Sequence, residues 1–440
     1  MDTKKTSVKE FGAKGDGKTD DTKAIQRALD SGDNLRFPRG SYVVSAPLLS
    51  GDKYSKPNTA EIIGEHGSII SYSASANNQE GGGNIKGQKS CFNFYSSQIS
   101  SIFLRGLRIS FGNHKHSSAK NRLGTSNGIH IAGYDGVALI SCQVTGFNFA
   151  GVTIGASGSG FRDINCRNIR ILNCEFSFNR FAGIALGNVS NVSIIGNRLN
   201  FNGRRGKPGE GYGLAGLSGT IINRVVVQKN LCSDNFRKGI DFHSGQNILI
   251  SRNSCVRNRM YGIFAAVHTR SAVITHNLIS DMKTFRSPNN QVIGVGIGGE
   301  DRNELYRAVV DSNSIVGVNS TDGAGLAYPI YISSGADSLI LISRNYCSTA
   351  QLWSGETTNF VQASAKRGSL GLKVYRNRLR TSFLGPIIRS NFGEIGYLEI
   401  VKNTFLFKSN RSIKIFEIRR PSKKKTLISD FGNRFLYLAN

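Results

Sequence analysis

The segment K-G-I-D-F-H-S-G, from Lys238 to Gly245, places a carboxylate and an imidazole two residues apart. In an extended strand, residues i and i+2 share a face at about 6.5–7 Å. Asp241 and His243 can therefore touch one bound molecule while Ile240 and Phe242 point into an apolar interior. A carboxylate beside an imidazole suits proton transfer near neutral pH. The same pair, with nothing around it, is two solvated side chains. Groups that could complete a site sit in the preceding stretch F-N-G-R-R-G-K-P-G-E-G-Y-G, which brings Arg204, Arg205, Lys207, Glu210 and Tyr212. Arg237, Lys238 and Glu300 are further candidates, and Tyr261 and Phe264 could stack on sugar rings.

Two chemistries follow. On a uronic acid polymer, Arg237, Lys238 or Arg205 would neutralise the substrate carboxylate, and His243 or Tyr212 would abstract the C5 proton. A second group would protonate the leaving oxygen. A hydrolase would instead need a second carboxylate, Glu210 or Glu300, at one of two characteristic separations from Asp241.

The elements that must hold these residues show in a repeat. Short β-rich pieces end in Asn173, Asn197, Asn230, Asn253, Asn277, Asn313, Asn345, Asn377, Asn403 and Asn433, at spacings of 23 to 36 residues. That period, with insertions, fits one coil of a parallel β-solenoid. An asparagine recurring at one turn can bond to its neighbours above and below, and it tolerates left-handed backbone there. A second strand follows each Asn, introduced by Gly151, Gly183, Gly239, Gly262 and Gly294. Strict alternation then buries Val152, Ile184, Ile240, Ile263 and Val295 and turns Asp241 and His243 outward. Ala185 and Gly187 on one side, and Phe264, Ala266, Gly296 and Gly298 on the other, predict a trough with mostly small walls, under the 201–213 loop. Both site residues are expected to be solvent-exposed there, so Asp241→Asn and His243→Ala should leave melting nearly unchanged.

Composition narrows the partners. The chain has 440 residues, 51 of them Gly, and 56 Lys+Arg against 29 Asp+Glu give a net charge of +27. Such a surplus implies an acidic partner. No basic helix or aromatic-basic module is present, so nucleic acid is not expected, and the expected partner is an anionic polysaccharide. No apolar run is long enough to span a membrane, and no apolar leader segment is visible, so synthesis in the cytoplasm is expected. Seven cysteines without close pairing argue against disulfides and metal, and Cys232, Cys255 and Cys347 read as small apolar residues inside coils. His114 and His116, beside Lys115 and Lys120, read as an exposed loop, and no cofactor is expected.

The N-terminal stretch S-V-K-E-F-G-A-K-G-D-G-K-T-D-D-T-K-A-I-Q-R-A-L-D-S-G, followed by L-R-F-P-R-G-S-Y-V-V, predicts a strand at Val8–Phe11, a turn, a helix near Asp20–Leu29 capped by Thr19 or Asp20, and another strand. This stretch resembles the opening motif of pectate-lyase-like proteins, shared by polygalacturonase relatives, mannuronan C5-epimerases and phage tailspike depolymerases. The resemblance implies an all-β chain: a single-stranded right-handed parallel β-helix, with the helix plugging its open end. Residues 1–50 would form the opening motif and cap, and 51–440 one continuous β-helix. Gly12, Gly15, Asp16, Gly17, Asp20 and Asp21 match the motif, and there they are structural. The polygalacturonase signatures on later coils are missing. Lys238-Gly239-Ile240-Asp241-Phe242-His243 is similar to the epimerase site strand, with Lys238 where that family has tyrosine and Ala266 where it has a second aspartate. By resemblance, the chain is expected to be a tailspike-like depolymerase of a capsule or exopolysaccharide, virion-borne or secreted, and homotrimeric. Alternatives are a bacterial uronate epimerase or lyase and a non-catalytic glycan-binding spike.

Overall fold

The computed structural model describes residues 5–52, 55–73, 90–97, 100–111, 126–155, 165–204, 209–282, 291–298, 306–318, 326–333, 337–348, 360–364, 369–381, 387–390, 394–407, 416–418 and 427–437. Short parallel strands make up nearly all of it, with one α-helix at Thr22–Asp30 among the described residues. The chain divides into two compact units. One comprises residues 1–204, 210–215 and 220–222, and the other 205–209, 216–219 and 223–440.

In the first unit, successive coils lay like side chains on like. Ile129 sits beside Phe92, Val152 beside Ile129 and Ile184 beside Val152, all fully buried. A six-stranded parallel sheet supplies another wall, with Gln143–Thr145 between Arg108–Phe111 and Glu175–Ser177. Strands stack about 4.8 Å apart and pair with the strands of the coils before and after, so coil length varies in the turns.

The opening motif folds differently from its expected elements. Val8–Phe11 is a 3₁₀ turn rather than a strand: Ser7 Oγ accepts the Lys9 N–H and the Glu10 carboxylate accepts the Ser7 N–H. Such reciprocal capping holds a helical turn. The α-helix begins at Thr22, and its N-cap residue Asp21 makes no side-chain cap. The Asp21 carboxylate is spent on the glycine turn, accepting from Lys14 N at 2.6 Å and Gly15 N at 3.0 Å. Asp20 takes the Thr22 N–H at 3.0 Å. The helix buries Ala24, Ile25, Ala28 and Leu29.

In the second unit, Asn230, Asn253, Asn277, Asn313, Asn345, Asn377, Asn403 and Asn433 form a continuous ladder. From Asn253 onward, each Oδ1 accepts the backbone N–H and an Nδ2–H of the asparagine one coil earlier, all at 2.8–3.0 Å. A buried amide left unbonded is costly, and here each is bonded at both ends. The left-handed residue at this corner is the one before the asparagine, with φ of 53–56° at Lys229, Arg252, His276, Ser312, Arg344, Arg376 and Lys402. Asn173 departs from the expected series. It is itself left-handed, and Cys174 occupies the ladder position, donating its N–H to Asn197 Oδ1 at 2.8 Å. All seven cysteines are buried free thiols, and Cys232 stacks on Cys255.

Asn277→Ala removes two donors, to Asn313 and Ile250, and takes the acceptor from the backbone N–H and one Nδ2–H of Asn253. Chemical denaturation should show a loss of about 3 kcal/mol, from at least one buried polar group left unsatisfied at roughly 1–3 kcal/mol. The exposed Gln246→Ala, at an ordinary backbone conformation, should change stability by less than about 0.5 kcal/mol.

Candidate functional site

The Lys238–Ser251 strand belongs to the second unit. Its first half pairs with Tyr261–Thr269 and its second with Ser271–Thr275. Ile240 and Phe242 are fully buried inside the coil, so Asp241 and His243 share the outer face as alternation requires. Lys238 joins them against simple alternation. Gly239 faces inward, because a Cβ placed on it would lie 2.9 Å from Asn258 Nδ2 and 3.1 Å from Cys255 Sγ. Two consecutive inward residues shift the phase by one, and the Lys238 side chain emerges beside Asp241.

The three polar groups meet. Lys238 Nζ lies 2.8 Å from Asp241 Oδ1 and 3.2 Å from His243 Nε2, and Nε2 lies 3.3 Å from Asp241 Oδ2. Lys238 and Asp241 are each 2% exposed, whereas the His243 side chain keeps 30% of its surface. The cover comes from the next coil. The Lys238 ammonium sits 3.7 Å from the Phe264 ring centroid and 5.0 Å from that of Tyr261, close enough for cation–π attraction.

Asp241 is thus not solvent-exposed, and the small-walled trough is not open. Tyr261 and Phe264 lean across Gly296, where an added Cβ would lie 2.8–2.9 Å from their rings. They pack with Ala266, Ile293 and Tyr328 into an apolar cluster on the outer face. Neither ring is laid open to a sugar, for Tyr261 is 7% and Phe264 8% exposed. The reason is electrostatic and steric together: Lys238 neutralises the carboxylate, and a neutral pair can be roofed by aromatic rings.

Burial alone pushes the Asp241 carboxyl up, but the Lys238 charge and the His243 contact outweigh it and hold it below the ordinary carboxylate range. Burial pulls the Lys238 amine below its ordinary value, opposed by Asp241 and assisted by Arg237. The two neighbours of His243 Nε2 favour opposite tautomers. Asp241 Oδ2 accepts an Nε2–H, which leaves Nδ1 as a base. Lys238 donates to a bare Nε2, which leaves Nδ1–H as an acid. Exchanging these roles takes two proton moves, one gained at Nε2, for which Lys238 is the neighbouring donor, and one released from Nδ1.

The other sequence-selected residues are placed as follows. Glu210 belongs to the first unit, where Arg180 holds Oε1 at 2.7 Å and Arg204 holds Oε2 at 3.3 Å. Tyr212, also of that unit, is buried with its ring centroid 5.2 Å from that of Phe181. Arg237 is half-buried. Arg205, Lys207 and Glu300 lie outside the described residues, as do His114 and His116. Among the described residues no group of three or more His, Cys, Asp or Glu could hold a metal ion, and no helix is long and apolar enough to cross a membrane. The Lys238–Asp241 contact was hidden from sequence reasoning; its signal is the glycine that opens each strand of this face.

Stacked parallel coils of this kind define the right-handed parallel β-helix proteins of pectate-lyase type, and the chain resembles them. A family profile described as right handed beta helix region matches residues 127–297. A second, rhamnogalacturonase A/epimerase, pectate lyase-like, matches residues 5–105. Among solved structures, the tailspike protein gp49 from Pseudomonas phage LKA1 aligns with a TM-score of 0.60 at 12% identity, covering 94% of this chain and 84% of that one. The Family 28 exopolygalacturonase of Yersinia enterocolitica aligns with a TM-score of 0.52 at 12% identity, over 98% and 78%. These likenesses concern the fold. Among curated proteins, alginate lyase 7 of Azotobacter vinelandii is 57% identical over 44 residues, 9% of this chain and 5% of that protein. The matches span only 4–6% of the length of the curated relatives.

Asp241→Asn leaves an ammonium buried without its counter-ion, so unlike an exposed substitution it should cost about 3–5 kcal/mol in chemical denaturation. Replacing both partners, Lys238→Met with Asp241→Leu, should recover most of that loss. Because the folded carboxyl titrates below its unfolded value, its stabilisation is complete above about pH 4 and fades as pH falls through the lower folded value. Wild type should therefore lose stability on acidification more steeply than the double variant.

Proposed function

We propose that this chain binds and cleaves an acidic polysaccharide, in the manner of a tailspike depolymerase, with His243 as the group that meets the substrate. The observation that carries this reading is the Lys238–Asp241–His243 network: a half-exposed imidazole backed by a buried carboxylate and a buried amine. An imidazole held between a proton donor and a proton acceptor is built for proton transfer rather than packing. The net charge of +27 favours an anionic polymer.

Elimination at a uronate fits these residues best. His243 Nδ1 takes the C5 proton while Asp241 Oδ2 holds Nε2–H. The C5 electron pair forms the C4–C5 double bond, the C4–O bond breaks, and the same proton passes to the departing oxygen. Arg237, next to Lys238, is the candidate counter-charge for the uronate carboxylate; the Lys238 ammonium is engaged with Asp241 and roofed by Phe264. The short match to an alginate lyase supports uronate chemistry. Hydrolysis would require a second carboxylate at one of two characteristic separations from Asp241. In this reading the protein acts on a virion or outside the cell, as a homotrimer.

The test is incubation with a panel of acidic polysaccharides, following chain length and the ultraviolet absorbance of unsaturated uronate ends. His243→Ala should cut turnover by about 10²–10⁴-fold while the fold is kept by circular dichroism, with melting lowered only modestly because Asp241 retains Lys238. Chain shortening without new absorbance would replace elimination by hydrolysis. Deuterium uptake at C5 from heavy water without shortening would make it an epimerase. Wild-type turnover in His243→Ala would remove the site altogether.

A further inference from the structure

Every coil of the second unit turns the same corner just before its ladder asparagine, and the residue there is left-handed and points away from the core. In six coils that residue is Lys229, Arg252, His276, Arg344, Arg376 or Lys402, each exposed. The six belong to one row because their N–H groups bond in turn to the following coils, Arg252 to Thr275, His276 to Asp311, Arg344 to Tyr375 and Arg376 to Val401. Ser312 interrupts the row and Gly432, before Asn433, lies beyond its last basic residue. Basic side chains thus recur along the stacking direction with a period of one coil, about 4.8 Å. Arg344 is paired with Asp311 at 2.7 Å, and Arg376 lies over the Tyr375 ring.

Beside this row, on the outer face of the strands that lead into it, runs an apolar strip. Val273, Val309 and Leu341 stand in register and line a groove of about 390 Å³ that Tyr397 also borders. We propose that the row and strip together form a second binding surface, away from His243, for a linear acidic polysaccharide lying along the coil axis. A hexuronate unit is about as long as a coil is thick, so one carboxylate can meet one cation per coil while the C–H faces of the rings rest on the strip. A single-stranded nucleic acid would want a succession of aromatic platforms for its bases. The outward residues next to the row are instead Ser251, Thr275, Asp311 and Ser343, with an aromatic at Tyr375.

The test is direct binding of oligogalacturonate to the full chain, independent of any turnover. The fourfold variant Lys229→Asn, Arg252→Asn, Arg376→Asn and Lys402→Asn removes charge with a residue that tolerates the left-handed turn. Four exposed pairs lost should weaken binding about tenfold and flatten the salt dependence of the affinity. Circular dichroism and melting should match wild type. Were the fourfold variant to misfold, Arg252→Asn and Arg376→Asn singly should each weaken binding about twofold. Wild-type affinity in these variants, no binding by wild type, or equal row-dependent binding of single-stranded DNA would each overturn the inference.

Discussion

A buried primary amide has two donors and an acceptor to satisfy, and in the second unit a ladder asparagine satisfies them through the asparagines one coil before and after and through a backbone carbonyl of the preceding coil. That requirement fixes the register of every coil against its neighbours. It tolerates spacings from 23 to 36 residues because the extra chain leaves through the turns. It also sets the corner conformation, since the residue ahead of each asparagine must be left-handed to swing the amide inward. Apolar columns, cysteine stacks and outer-face rows then follow from register alone.

The outer face at Lys238 works against the ease of that arrangement. Desolvating an ammonium and a carboxylate is costly, and their attraction offsets it only at close range with good hydrogen bonds. Here the contact is 2.8 Å, and Phe264 supplies a further attraction for the cation. An apolar residue at both positions would serve the fold as well or better. Retaining a buried ion pair whose one outlet is a half-exposed imidazole is what a proton-handling site would need.

Much of the fold was legible because period-2 burial and a recurrent asparagine are local signals. Asn230 through Asn433 stack as their spacing suggested, while Asn173 does not, since an asparagine in a left-handed turn and one in the ladder look alike in sequence. Val8–Phe11 was read as a strand because its capping depends on the pairing of Ser7 with Glu10 rather than on propensity. At the site, the shared face of Asp241 and His243 was legible, but their exposure was not. Exposure depended on the inward turn of Gly239, which brings Lys238 round, and on rings from the next coil leaning over Gly296. Both are contacts between coils, to which a reading of single strands is blind.

The ladder also has a direction. Each asparagine-to-asparagine bond donates toward the higher-numbered coil, while the other Nδ2–H returns to a carbonyl of the coil before, so the dipoles of the ladder bonds add head to tail, as peptide dipoles do in an α-helix. The stack is polarised, with its positive pole at Asn433. There the Nδ2–H meets the carboxylate of Asp430, an anion at the positive end of an aligned column of dipoles. An amide column terminated by a carboxylate is the side-chain counterpart of a helix N-terminus capped by aspartate.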